Sequence, residues 1–471
     1  MRRAAALAMG ALLLSGCALG PDTALPSPTL PAAWDGAGER PDALAGVWPD
    51  ARWWAGFGNA ELDRLMAEAA ANNRDLAAAA SRIRQAEAQA RIAGAALLPT
   101  LGASGDAGRS WAPHAPRAGN GSGSFGATLQ AGYQLDLFGG NAADAEAARA
   151  SLAASRYDRE AVALTLQSQV AATFFQVLAA RDRLRLAADT LRIAEDVLAV
   201  LERQREVGSS SELEVAQQRS SVATQRAALP ALRQSEKESL NALAVLLGRN
   251  PQGFGVETRS LADLAVPAVT EGIPSALLQR RPDLRRTEEI LRAARLDTVA
   301  ARAARFPSID LTVRGGYQST ALFSLLDPAG LLYSVAGSLT APIFAGGRLE
   351  AQEDLSTAQA EELVQSYAQT ILIALQDTQD ALNATSTTEE RRRFSAEAQA
   401  QAAEALRIVD ARFRAGTVPF LNVLDAQRTV FQANDAVVQA TLARFNALVS
   451  LYAALGGGWS GELAPLPGEG L

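Results

Sequence analysis

Residues 141–207 read NAADAEAARASLAASRYDREAVALTLQSQVAATFFQVLAARDRLRLAADTLRIAEDVLAVLERQREV, and residues 348–415 read RLEAQEDLSTAQAEELVQSYAQTILIALQDTQDALNATSTTEERRRFSAEAQAQAAEALRIVDARFRA. Neither stretch, 67 and 68 residues long, holds a glycine or a proline. Both are rich in Ala, Leu, Gln, Glu and Arg, the strong helix formers. Each follows a double glycine (Gly139-Gly140, Gly346-Gly347) and stops at a single one, Gly208 or Gly416. At 1.5 Å per residue each predicts a helix of about 100 Å, far beyond the roughly 11–12 residues usual in globular domains. Such a length suits a coiled coil or a protein that bridges a distance.

The two stretches belong to an internal repeat. At an offset of 208 residues Pro99 matches Pro307, Gly208 matches Gly416 and Gly248 matches Gly456. Asn73-Arg74-Asp75-Leu76 lies over Arg281-Pro282-Asp283-Leu284. Each repeat reads as helix, strand, loop, strand, long helix, turn and return helix. The helices expected before the strands, near 73–98 and 281–306, and the return segments 209–247 and 417–455 together match one long helix in length. In the last segment Leu424, Phe431, Val438, Phe445 and Tyr452 recur every seven residues, a coiled-coil seam or a bundle core. Pro230 is expected to bend the matching helix of the first repeat.

The strands show period-two alternation. From Phe125 to Leu137 odd positions are apolar and even ones polar or glycine. Ile309, Leu311, Val313 and Tyr317 alternate with Ser308, Asp310, Thr312 and Arg314. Leu331, Tyr333, Val335, Leu339 and Ile343 alternate with Ser334, Ser338 and Thr340, and Leu101–Trp111 alternates more weakly. Such faces suit a sheet on a soluble core or a transmembrane β-barrel, whose strands need about 9–11 residues. Trp111, Phe125, Tyr317, Phe323, Tyr333 and Phe344 are placed to form interfacial girdles. Four strands cannot close a barrel, since single-chain barrels start at about 8. An open edge cannot sit in lipid. Strands that cross a membrane here demand several copies, most economically in cyclic symmetry.

The N-terminus reads as an address. Arg2 and Arg3 precede the apolar run 4–14, too short to span a bilayer, and then Leu14-Ser15-Gly16-Cys17. This resembles the bacterial lipobox, which implies cleavage before Cys17, acylation of its thiol and, with Ala18 following, residence in the outer membrane. No later segment reads as a transmembrane helix. The expected divisions are a leader over 1–16, a lipid anchor and Pro-rich tether over 17–56, the first repeat over 57–255, a connector over 256–273, the second repeat over 274–459 and a tail over 460–471. Segments around 48–59 and 248–273 are expected to form an irregular belt around the helices.

Composition excludes several classes. The formal net charge is −7 and Lys237 is the only lysine, so nucleic acid is not an expected partner. One Cys forbids an internal disulfide. One His (His114) opposes a His-rich metal or catalytic site, so no cofactor and no enzyme activity are expected. Gly121-x-Gly123-x-x-Gly126 matches a dinucleotide fingerprint by letter, but it precedes a strand instead of linking a strand to a helix.

Further motifs carry a resemblance. Trp54-x2-Phe57-x4-Leu62-x2-Leu65, Asn73-x-Asp75-Leu76 and Arg280-Arg281-Pro282-Asp283-Leu284 stand before the strands. Ala341-Pro342-Ile343-Phe344-x-Gly346-Gly347 joins strand to long helix. Arg412-Phe413-Arg414-Ala415-Gly416 is followed by 420–428 (FLNVLDAQR), and Leu455-Gly456-Gly457-Gly458-Trp459 closes the repeat. Over nearly the whole mature chain these resemble the TolC-type outer-membrane factors, in the lipoprotein branch of OprM and NodT. The resemblance implies a mixed α and β fold in a homotrimer, with a twelve-stranded transmembrane barrel, four strands per chain, continued by a periplasmic α-helical barrel with an equatorial belt. It implies the outer-membrane channel of a tripartite efflux system, working with a periplasmic adaptor (membrane fusion) protein and an inner-membrane RND-type pump. It places the aperture and the adaptor contact at the tips Gly208–Ser211 and Gly416–Pro419, including Ser209 and Thr417, with Leu421 and Asp425 as the constricting gate. A ring of leucines dewets a narrow pore, and a ring of carboxylates repels anions. Gln217 stands where Asp425 does, so only the second repeat is expected to carry the acidic ring, with Arg412, Arg414 or Arg428 nearby to hold the tip shut. Type I secretion or metal efflux are alternative systems, and a lipid-anchored coiled-coil structural protein is the alternative class.

Overall fold

The structure, a computed structural model, describes residues 30–31, 34–35, 50–110, 122–267, 274, 277–459 and 463. Cys17, Trp111, His114, Gly121 and most of the tail lie outside them. Seven helices of three or more turns are described: α1 Ala60–Asn72, α2 Arg74–Ala95, α3 Gly140–Glu206, α4 Glu212–Leu246, α5 Pro282–Ala303, α6 Arg348–Arg414 and α7 Phe420–Ala454. Four strands accompany them: β1 Thr100–Ser110, β2 Ser122–Leu135, β3 Ser308–Ser319 and β4 Leu331–Thr340. The helix pairs α2 and α5, α3 and α6, and α4 and α7 have equal lengths and begin 208 residues apart. Helices α3 and α6 run unbroken for 67 residues each. The Asp136 carboxylate caps the start of α3, accepting from the amides of Asn141 (3.2 Å) and Ala142 (2.7 Å).

The chain divides into two compact units. The first takes in the described parts of residues 82–156 and 286–368. The second takes in the described parts of residues 28–81, 157–285 and 369–471.

In the first unit the four strands form one antiparallel sheet in the order β1-β2-β3-β4. Register turns the alternation of single strands into faces. Ala131 lies opposite Leu101 and Val313, and Val313 lies opposite Val335. Tyr133 pairs with Leu311, and Ile309 pairs with Leu339. All apolar alternates therefore share one face. The other face carries Ser104, Asp106, Thr128, Gln130, Gln134, Asp310, Thr312, Arg314, Ser334 and Ser338. The apolar face has no cover among the described residues: Leu101, Leu129, Tyr333, Val335 and Leu339 are exposed, Val335 by 79%. Edge strands β1 and β4 are exposed along their whole length. Two expectations need correction. β4 ends at Thr340, because Pro342 has no amide to continue the ladder, so Ile343 and Phe344 lie beyond the strand. β2 ends at Leu135, and Phe138 beyond it stacks on Phe306 at 4.7 Å. The first unit is also tied by Glu353 of α6, which bonds Arg302 (2.9 Å) and Arg305 (2.6 Å).

The second unit holds the main core. Trp53, Phe57, Leu62, Leu65, Phe174, Phe175, Leu178, Phe445, Leu448 and Tyr452 pack together, with Phe57, Phe174 and Phe175 fully buried. Burial of each such side chain is worth about 1.5–3 kcal/mol. Rings meet at 5.0 Å (Trp53–Tyr452, Phe57–Phe175) and 5.1 Å (Phe175–Phe445). One window of α3 is long and apolar enough to cross a membrane, contrary to the sequence reading. Phe174, Phe175, Val177 and Leu178 explain its apolarity, since they are core residues. Residues 248–264 wrap α3 with little regular structure: Arg181 donates to the carbonyls of Val256 and Thr258, and Asp182 accepts from Ser260 and Leu261. Trp34 is buried against Leu277, Ala381 and Leu451, and Asp35 exchanges two hydrogen bonds with the Gln379 amide. Of the seven-residue series, Val438, Phe445 and Tyr452 are buried, while Leu424 and Phe431 are half-buried. Helix α4 is continuous through Pro230.

Each return helix docks on the start of its own repeat in one way. Gly248 (φ 69°) and Gly456 (φ 73°) end α4 and α7. Asn73 separates α1 from α2: its side chain caps α2 through Asp75 and Leu76 and donates to the Leu246 carbonyl at 2.9 Å. Its counterpart Arg281 donates to the corresponding carbonyl of Ala454 at 3.3 Å. The buried guanidinium of Arg281 also pairs with Asp283 (2.7 Å) and Asp377 (3.1 Å).

Candidate functional site

The two helix-turn-helix tips are built alike. Gly208 (φ 74°) and Gly416 (φ 73°) take the left-handed conformation that closes a helix. Ser209 N–H donates to Gln204 O at 2.8 Å, and Thr417 N–H donates to Arg412 O at 3.0 Å. In both tips the hydroxyl of that same residue donates to the same carbonyl, at 3.0 Å. A Cβ on either glycine would meet nothing within 4 Å, so the turn geometry alone requires glycine here.

Beyond the turns the tips differ. Helix α4 opens with a capping box: Glu214 N–H donates to Ser211 Oγ (3.2 Å), and Ser211 N–H donates to the Glu214 carboxylate (2.8 Å). Helix α7 starts after Pro419 with no side-chain cap. Ion pairs cross between α3 and α4 at four levels: Arg181–Glu236 (2.8 Å) and, nearer the turn, Glu195–Arg226 (2.6 Å), Glu202–Arg219 (2.7 Å) and Arg205–Glu212 (3.0 Å). Between α6 and α7 the polar links are the Thr378 hydroxyl to the Ala454 carbonyl (3.4 Å), Glu389–Arg444 (2.7 Å) and, nearest the turn, Gln399–Asn434 (2.8 Å). From there to the turn, no side-chain hydrogen bond or ion pair joins α6 to α7 among the described residues. At the same level Asp435 is bound to Arg183 of α3 (2.5 Å). Below it the hairpins share an apolar cluster of Leu201, Val215, Phe420 and Val423.

Leu421 and Asp425 lie one turn apart on α7. Leu421 is 61% exposed. Asp425 is exposed and pairs with Arg428 of its own helix at 2.8 Å, while Arg414 pairs with Asp410 of α6. The arginine brake expected across the tip is thus, in the single chain, a pair of within-helix contacts. Val207 and Leu213 also stand exposed at the first tip. Leu213 is the repeat counterpart of Leu421, and the repeat register already contained that signal.

The Glu214 carboxyl is held below the ordinary carboxylate range, chiefly by the Ser211 amide. Its contribution is complete above the unfolded pKa and is lost as pH falls through the lower folded value. Ser211→Ala is expected to cost roughly 1 kcal/mol of α4 end stability. Hydrogen exchange should show lower protection factors at residues 212–216 in the variant, and in the wild type at acidic pH. Equal protection at both pH values would refute the pairing.

Comparison with known proteins fits this architecture. The family model described as outer membrane efflux protein matches residues 65–249 and again 273–457, the second match 208 residues after the first. The pyoverdine export outer membrane protein OpmQ of Pseudomonas aeruginosa is 41% identical over 421 residues, covering 87% of this chain and 88% of the relative. That of Pseudomonas putida is 39% identical over 441 residues, covering 92% and 93%. The cation efflux system protein CusC of Escherichia coli is 33% identical over 455 residues, covering 95% and 97%. A crystal structure of CusC superposes with a TM-score of 0.86 at 30% identity, covering 94% of this chain and 100% of that one. With both repeats matched by the model and relatives aligned nearly end to end, the chain belongs to the outer membrane efflux protein family and is an outer-membrane channel protein, a conduit and not an enzyme.

Proposed function

We propose that three copies close their sheets edge to edge into one twelve-stranded barrel and form the exit duct of a tripartite efflux system. The observation that carries this reading is the open sheet: two unpaired edges and a continuous apolar face, which lipid tolerates only if the edges are closed by further strands. The helices extend into the periplasm, where the duct meets an adaptor protein coupled to an inner-membrane RND-type pump. Val207 and Leu213, with the turns at Gly208, Ser209, Gly416 and Thr417, are the surface offered to the adaptor. Cys17 is acylated and tethers the mature N-terminus. Mass spectrometry of the outer-membrane protein is expected to find the mature chain starting at a lipid-modified Cys17, and an unmodified start elsewhere would refute it.

Leu421 and Asp425 form the gate. The second hairpin is the moving part: its α7 start is uncapped, and its two helices are held together towards the tip only by apolar contacts. The first hairpin is braced towards its tip by three ion pairs. Leu421→Ala is expected to raise single-channel conductance and to sensitise cells to large antibiotics. Asp425→Ala is expected to lower cation selectivity. Both should leave assembly intact. Unchanged conductance, selectivity and drug leakage in assembled protein would place the gate elsewhere.

For cargo, the relatives named for pyoverdine export are 39% and 41% identical, above the 33% of those named for toluene, antibiotics or cations. A pyoverdine-type siderophore is therefore the proposed cargo. The single His and three Met leave little for lining the duct with soft metal ligands. Deletion of the gene should leave siderophore trapped inside the cell, and unaltered secretion would refute this assignment.

A further inference from the structure

The connection between β3 and β4 is the least expected surface of the first unit. It lies at the sheet end away from the helices. Residues 320–332 read TALFSLLDPAGLL, with one acidic residue, Asp327, and no basic one. It is ordered by its own hydrogen bonds. Two short 3-10 turns, Leu322–Ser324 and Pro328–Gly330, follow one another. The Ser319 and Ser324 hydroxyls meet at 2.7 Å, Ser324 Oγ donates to Ala321 O at 3.1 Å, and Gly330 N–H donates to Asp327 O at 2.9 Å. A Cβ on Gly330 would lie 2.8 Å from Gln318 O, so the turn folds tightly against the strand it leaves.

This scaffold displays apolar side chains instead of hiding them. Phe323 is 94% exposed, Leu326 73% and Leu322 65%. A turn fixed by polar bonds has no folding need for such residues, and water disfavours them. By composition the β1–β2 connection is more polar: residues 111–121 include His114, Arg117, Asn120 and two glycines. The apolar turn is also continuous with the apolar face of the sheet, since the outermost rung of that face is Tyr317 opposite Leu331, the two residues that flank the turn.

We infer that the Leu322–Leu326 segment is seated in the hydrocarbon edge of the outer leaflet, where Leu322, Phe323 and Leu326 contact acyl chains. The inference rests on the reading of the apolar sheet face as lipid-facing. The missing basic residues fit a partner made of acyl chains and oppose one made of lipid phosphates. Seated this way, the turn fixes the height of the barrel by apolar contact on the β3–β4 side.

Spin-label accessibility tests this. Phe323→Cys, Val335→Cys and Ser334→Cys are each made in a Cys17→Ser background, labelled with a nitroxide and reconstituted into vesicles of phosphatidylcholine and phosphatidylglycerol. Collision with oxygen, which concentrates in acyl chains, is compared with collision with a water-soluble nickel chelate. Position 335 is expected to be lipid-like and position 334 water-like, which checks the sheet reading by itself. Position 323 is expected to group with 335, with an oxygen-to-nickel ratio several-fold above that at 334. With the 335 and 334 contrast intact, a water-like 323 overturns the inference, and so does a 323 shielded from both reagents, as in an exit plug or a contact between copies. Loss of the 335 and 334 contrast overturns the sheet reading and the inference together.

Discussion

Val335→Arg is expected to abolish assembly in the outer membrane. Val335 sits mid-strand in β4, 79% exposed, opposite Val313 on the apolar face. Arginine at the midplane of a lipid-facing strand costs about 2–4 kcal/mol. In the proposed barrel of three copies the penalty is taken about three times, so roughly 6–12 kcal/mol opposes insertion. Since β4 is an edge strand, the same residue also lies at the edge where the proposed closure takes place. The control is Ser338→Arg, three residues on but on the polar face, directly opposite Asp310. Opposite charges across a strand pair are mildly favourable, by about 0.2–1 kcal/mol, so this variant should assemble normally. Membrane fractionation and detergent-resistant oligomer on gels read both outcomes. A Val335→Arg protein that assembles like wild type would mean that this face meets water.

The contrast between those two positions was legible in the sequence because alternation encodes the face of each residue on its own strand. How the four faces combine depended on register. β1 shows why: Leu101, Ala103 and Ala107 are separated by Gly102, Gly105 and Gly108, a weak pattern alone. Paired with Ala131, Leu129 and Phe125, the same residues complete the apolar face. The long helices were equally readable, because freedom from glycine and proline is local information. The alternation in the sequence runs on to Ile343, but Pro342 removes the donor that the ladder needs and β4 stops at Thr340. Side-chain partners across long stretches left no local trace. Arg281 and Asp377 are 96 residues apart, and Asn73 reaches the Leu246 carbonyl across 173. The bracing of the first tip was half visible. The charges of Glu202 and Arg219 are plain, but only the turn at Gly208 brings them level. The tip glycines and the glycines at 248 and 456 looked alike in the repeat register, yet they do different work.

That difference gives the second large effect. Gly456→Ala is expected to destabilise the second unit by several kcal/mol, while Gly416→Ala costs little more than its backbone strain. Both glycines have φ of 73°. In that conformation a side chain costs roughly 1–2 kcal/mol at either position. At Gly416 nothing lies within 4 Å of the added Cβ. At Gly456 it would stand 2.7 Å from Arg280 O and 3.2 Å from Arg281 Cα, both backbone atoms that no rotamer change can move. Overpacking of this kind adds about 1–3 kcal/mol. The segment that must give way is heavily committed: Trp459 Nε1–H donates to that same Arg280 carbonyl at 2.5 Å, and Arg281 holds Ala454, Asp283 and Asp377. Gly248→Ala provides the repeat-related test, since its Cβ would lie 2.4 Å from Asn72 O. Denaturant unfolding of the detergent-solubilised protein should therefore order the variants as Gly416→Ala mild, and Gly456→Ala and Gly248→Ala severe. The tip variant should still alter conductance, because its turn carries the helix of the proposed gate. Equal destabilisation at 416 and 456 would mean that the docking of each return helix on its own repeat is not what those glycines serve.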